Sequence, residues 1–91
     1  MDRTVVKTSI ETSALGRRFF EARGIEVSAV RAAPTWDGRA GFGLTVPGST
    51  VWDVLQDAAE RLTEALSVAA PPAWSWDVHD KEVLFIRRGR K

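Results

Sequence analysis

The chain contains no cysteine, which removes a disulfide framework, a thiolate zinc site and a cysteine nucleophile from consideration. Its one histidine, His79, stands between Asp77 and Asp80 without the spacing of a metal or acid–base site. A cross-strand pair with Glu82 is the expected role. No apolar run approaches the ~20 residues of a membrane span, and Met1-Asp2-Arg3 starts the chain without a hydrophobic signal region. A cytoplasmic location with no membrane partner is the expectation. The glycines of Gly38-Arg39-Ala40-Gly41-Phe42-Gly43 lack the following Lys-Ser/Thr of a phosphate loop and lead into a strand rather than a helix, which excludes nucleotide hydrolysis. None of Ser13, Ser28, Ser49, Ser67 and Ser75 has a nucleophile-elbow context. The carboxylate pairs Asp53/Asp57 and Glu60/Glu64 fall on a solvated helix face, where nothing raises a carboxyl pKa. No catalytic, cofactor-binding or metal-ligating residue is therefore expected, and the chain is expected not to be an enzyme.

What is present fits one small domain spanning residues 1–91, since 91 residues with 44% apolar content support a single core. The net charge of +1 conceals an uneven distribution: +2 over residues 1–48, −5 over 49–86 and +4 over 87–91. The basic C-terminal tail, Arg87-Arg88-Gly89-Arg90-Lys91, suits nucleic acid, an acidic partner or a solvated terminus.

The dominant feature runs from Val46 to Ala69. At 100° per residue, Val51, Val54, Leu55, Ala58, Leu62, Ala65, Leu66 and Ala69 form one stripe flanked by Trp52 and Ala59, and this stripe is expected to be buried. The opposite face carries Asp53, Gln56, Asp57, Glu60, Arg61, Thr63, Glu64 and Ser67, a negative surface that repels phosphate. Thr50-Val51-Trp52-Asp53 has capping-box spacing, with Thr50 expected to accept from the Asp53 amide, and Pro71-Pro72 stops the helix.

Before it, the β-branched run Thr4–Ile10 predicts a strand, and Thr12 or Ser13 is expected to cap a short helix carrying Leu15, Phe19, Phe20 and Ala22 and ending at Gly24. Arg17, Arg18 and Arg23 make that helix basic. Ile25–Val30 and Gly41–Val46 predict two further strands, joined by a loop around Asp37-Gly38. The glycines at 41 and 43 share the face opposite Phe42, which calls for a close approach there. After the long helix, 73–79 and 82–87 predict a hairpin turning at Asp80-Lys81, pairing His79 with Glu82, Val78 with Val83, Asp77 with Leu84, Trp76 with Phe85, Ser75 with Ile86 and Trp74 with Arg87. The expected fold class is α+β: a ferredoxin-like βαββαβ unit with an extra C-terminal strand, its two helices packed on one face of a mostly antiparallel sheet.

Four tryptophans require a reason, because such rings are interface anchors when exposed. Trp74 and Trp76 are assigned to the core, and Trp36 and Trp52 to partner contact. The run Gly43–Val54, then Ala58–Leu66, then a hairpin ending Val83-Leu84-Phe85-Ile86, resembles the small α/β subdomain that precedes the motor of FtsK/SpoIIIE-type DNA translocases, including plasmid-transfer members, over residues 40–88. The resemblance implies a stand-alone relative from a mobile element, phage or DNA-transfer system that acts by binding, since no P-loop or motor accompanies it. The leading expectation is a non-enzymatic interaction or adaptor module that binds another protein or itself. The alternative is nucleic-acid binding, with Arg17, Arg18, Arg23, Arg87, Arg88, Arg90 and Lys91 as phosphate contacts.

Overall fold

The structure, a computed structural model, describes residues 3–32, 41–69 and 73–87, with side chains from Glu11 onward. Helix α1 spans Arg3–Ala22, strand β1 Ala29–Ala32, strand β2 Gly41–Thr45, helix α2 Trp52–Ala69, strand β3 Trp74–His79 and strand β4 Glu82–Arg87. The sheet order is β1-β2-β4-β3, with every pairing antiparallel.

The strand expected over Thr4–Ile10 is instead the first half of α1, and Thr12 and Ser13, expected at a cap, are buried inside the helix. The correction has two causes. No proline interrupts the chain between Arg3 and Phe20, the β-branched residues oppose a helix only weakly, and extending a helix that residues 12–22 already form costs little. The central slot of the sheet, between β2 and β3, is filled from the other end of the chain by β4. Because β2 and β3 each run antiparallel to β4, they are parallel to one another, and α2 joins them across the inserted strand in a split βαβ unit. The element order αββαββ thus replaces the expected βαββαβ with an added strand.

Helix α1 ends in a Schellman motif, as its glycine signals. Gly24 takes φ 79°, its N–H donates to the Glu21 carbonyl (3.0 Å), and the Ile25 N–H donates to the Phe20 carbonyl (3.0 Å). Ile25 and Phe20 complete the motif by burying together in the core. The second strand also differs from expectation: Ile25–Ser28 are not in a ladder, because β2 ends at Thr45, which pairs with Ala29. Ile25 and Val27 anchor the segment by burial, and the Ser28 N–H ties its end to β2 by donating to the Thr45 carbonyl (2.9 Å).

Both helices lie on one face of the sheet. Phe42 stacks on its cross-strand partner Phe85 (centroids 5.0 Å, 18°) and tilts against Trp74 (5.8 Å), while Phe20 of α1 meets Phe85 edge-on (5.9 Å, 83°). Leu55, Ala58, Ala59, Leu62 and Leu66 of α2 close the same core. Each fully buried phenylalanine contributes about 2–3 kcal/mol through the apolar area it removes from water. The opposite face, with Arg31, Gly43, Thr45, Asp77, Glu82 and Leu84, carries none of the described helices. No helix among the described residues is long and apolar enough to cross a membrane.

Candidate functional site

The site starts with how the chain enters α2. Pro47 cannot donate to a ladder and closes a turn, accepting from both the Thr50 N–H (3.0 Å) and the Thr50 hydroxyl (2.7 Å). The hydroxyl expected to cap the helix is therefore turned backward. The first helical bond runs from the Leu55 N–H to the Val51 carbonyl (3.0 Å), so Val51 holds the cap position without any side-chain acceptor to offer. Polar residues are strongly preferred there.

The face that α2 buries also differs from the expected stripe. Its buried face consists of Leu55, Ala58, Ala59, Leu62, Thr63 and Leu66. Val54 sits about 100° from the centre of that face on a 3.6-residue helix, and Val51 precedes the helix altogether. The expectation that both are covered is corrected: Val51 is 63% exposed and Val54 46%. Thr63, expected outside, is buried because its hydroxyl bonds to the Glu60 carbonyl (2.7 Å) and needs no water. Ser67 is half-buried, donating to the Thr63 carbonyl and accepting from the Trp74 N–H (3.0 Å).

Trp52 falls where a partner contact was expected. It is 53% exposed, and its ring leans on half-buried Trp76 (centroids 6.3 Å, 48°), which holds it in place from the sheet side. On the other flank, Ile25, Glu26, Pro47, Thr50, Val51 and Val54 are among the residues lining a shallow groove of about 320 Å³. The entry of α2 therefore presents an aromatic edge on one side and a groove of mixed polar and apolar lining on the other. The groove was missed from sequence, although the doublet Ala58-Ala59, which marks the middle of the buried face, could have placed Val54 at its margin.

The surrounding field is negative. Arg23, lying 4.6 Å over the Phe19 ring, reaches from α1 to Asp57 (3.6 Å), and Arg61 pairs with the same Asp57 (3.2 Å). Two bases converge on one acid. Asp53, Glu60 and Glu64 have no ion-pair partner among the described residues.

The arginines expected at phosphate have these surroundings where the structure describes them. Arg17 is paired with Glu21 (3.2 Å), Arg23 with Asp57, and Arg18 is exposed on α1. Arg87 is half-buried at the end of β4, opposite Trp74. Trp36, Arg88, Arg90 and Lys91 lie outside the described residues. His79 faces Glu82 as expected, and its Nε2 lies 3.2 Å from Asp77 Oδ2 in an exposed hairpin. No group of three potential metal-ligating side chains occurs among the described residues.

One charged pair crosses the open sheet face. Arg31 donates through Nε and Nη2 to the two oxygens of Glu82 (3.1 and 2.7 Å), spanning from β1 to β4 over Gly43. The Arg31 hydrogen bonds hold the Glu82 carboxyl below its ordinary pKa against a smaller opposing effect of burial. A β carbon at Gly43 would run into Glu82 Oε2, which gives the close approach expected at this glycine a side-chain cause.

Comparison of the chain with protein-family models, with curated proteins and with solved structures found no match.

Proposed function

We propose that this chain is a protein-interaction module whose contact surface is the entry of α2. The observation that carries the reading is that Val51, Trp52 and Val54 are exposed together at a helix start whose cap position is apolar. Val51 at the cap offers the helix no side-chain acceptor, and Val54 in its first turn is only partly covered. Departures from local rules of this kind are concentrated where a surface is kept for another purpose. Trp52, rigid and backed by Trp76, has the properties of an interface anchor.

The nucleic-acid alternative draws less support, because Arg17 and Arg23 are each paired with an acid and Asp53, Glu60 and Glu64 of α2 have no ion-pair partner among the described residues. A DNA-transfer context rests on the translocase resemblance of residues 40–88 alone. We also read the split βαβ unit as a rearranged ferredoxin-like arrangement, with β4 standing where a leading strand would.

The test compares wild type with the Trp52→Ser/Val54→Ser double variant, both immobilised and exposed to native lysate, after far-UV circular dichroism establishes that both fold. Loss of a Trp anchor costs about 2 kcal/mol or more, so the variant should retain its partner roughly thirtyfold more weakly. Equal retention by the two proteins, or no partner for either, overturns the reading.

A further inference from the structure

Strand β3 is an edge with the makings of a pairing surface. It has six residues against four in β1, the other edge, and no strand among the described residues pairs with its outer side. The ladder fixes which of its backbone groups face outward. The Val46 N–H donates to the Lys81 carbonyl (2.9 Å), so Val83 and Phe85 exchange bonds with β2, and Glu82, Leu84 and Ile86 exchange theirs with His79, Asp77 and Ser75. The N–H and C=O groups of Trp74, Trp76 and Val78 therefore point away from the sheet. Such a row of groups is a template for a further strand.

A second copy of this chain supplies a matching strand. In a two-fold antiparallel pairing centred on Trp76, each Trp76 meets its counterpart and each Trp74 meets Val78 of the other copy. This register keeps all three apolar side chains on the helix-bearing face of the joined sheet, where Trp74 is already in the core and Trp76 and Val78 pack against it. No bond to β4 is lost in making it.

Two of the three N–H groups that this pairing needs are taken by side chains: Ser67 Oγ accepts from the Trp74 N–H (3.0 Å), and Asp77 Oδ1 accepts from the Val78 N–H (2.8 Å). Both acceptors are themselves held. The Ser67 hydroxyl donates to the Thr63 carbonyl (2.7 Å), and the second oxygen of Asp77 lies 3.2 Å from His79 Nε2. Because Trp74 and Val78 are partners in the two-fold register, each such rung loses both of its donors, and only the central rung at Trp76 keeps its own. We propose that Ser67 and Asp77 close the outer edge of β3 against strand pairing with a second copy of this chain. Contact through Trp52 uses side chains and needs none of these backbone groups, so the closure leaves the α2 entry open to a different partner.

Sedimentation equilibrium from micromolar to near-millimolar concentration, with amide hydrogen exchange read residue by residue, tests the closure. In wild type, protection of the Trp76 and Val78 amides should not rise with concentration. Asp77→Ala frees the Val78 N–H in both copies and should strengthen association about tenfold, as two added hydrogen bonds would, with the Trp76 and Val78 amides becoming protected. Ser67→Ala/Asp77→Ala should strengthen it further. Asp77→Asn and Ser67→Thr, which keep an acceptor oxygen, should behave as wild type. Circular dichroism checks the fold of each, and the exposed Asp77 makes Asp77→Ala decisive by itself where loss of the Ser67 hydroxyl unfolds the chain. Unchanged association of Asp77→Ala, association that leaves the Trp76 and Val78 amides unprotected, or concentration-dependent protection of them in wild type overturns the closure. So does association of Asp77→Asn equal to that of Asp77→Ala, which would make charge alone the barrier.

Discussion

Gly16 occupies the middle of α1, where alanine would ordinarily be better by about 1 kcal/mol. Here a β carbon would lie 2.7 Å from Phe42 Cε2, 3.0 Å from Cζ and 3.3 Å from Leu62 Cδ2. The ring cannot withdraw, because it is stacked on Phe85 and leans on Trp74. Overpacking of this kind costs about 1–3 kcal/mol, which outweighs the propensity gain. Gly16→Ala should therefore lower the unfolding free energy by about 1 kcal/mol, read from the urea midpoint at unchanged slope. A rise in the midpoint would show that α1 can lift off Phe42 at no cost. The glycine is a packing residue, and only its neighbours across space reveal it as one.

Among the elements, the terminal hairpin was fully legible in the sequence and α1 was not. Alternation over Trp74–His79 and Glu82–Arg87, with two residues between, permits one register that keeps Val83 and Phe85 inward, and all six expected pairs are present. In α1 the β-branched run Thr4–Ile10 misled, since strand preference is a property of a place in a sheet, and β4 had taken the place. The candidate site was half legible. Trp52 could be singled out by type, but Val51 is exposed because α2 begins one residue later than the Thr50 signal indicates, and Val54 because it lies at the margin of the buried face. Within the hairpin, Asp80 adopts φ 60°, a conformation that costs a residue with a β carbon about 1 kcal/mol. Asp80→Gly should raise stability by about 0.5–1 kcal/mol without altering the register, as measured by thermal unfolding and by unchanged cross-strand nuclear Overhauser contacts. Destabilisation would mean that the aspartate side chain supports the turn more than its backbone strains it.

At the scale of the molecule, the Arg31–Glu82 pair ties an otherwise short edge strand, β1, to the central strand β4. Because the Glu82 carboxyl is held below its ordinary value, the folded state binds its proton less readily than the unfolded state. The stabilisation is complete above the unfolded carboxyl pKa and disappears as pH falls through the lower folded one. Arg31 is more than half exposed, so solvent screening limits the contribution to about 0.5 kcal/mol. Urea midpoints across acid pH should show wild type above Glu82→Gln at neutrality and the two converging in acid. Gly43→Ala should lose the same acid limb, because its β carbon displaces the carboxylate. Parallel curves for wild type and Glu82→Gln would show that the pair contributes nothing to folding.

The position of β4 has a consequence for synthesis. A chain emerging from the ribosome presents β2 about forty residues before β4, and the flank of β2 that faces β4 has no partner until residues 82–87 arrive. Phe42 and Leu44 meet α1 and β1 early but lack their β4 neighbours until residues 82–87 are made, so the unpaired edge of β2 is the surface on which the nascent chain is open to wrong pairing.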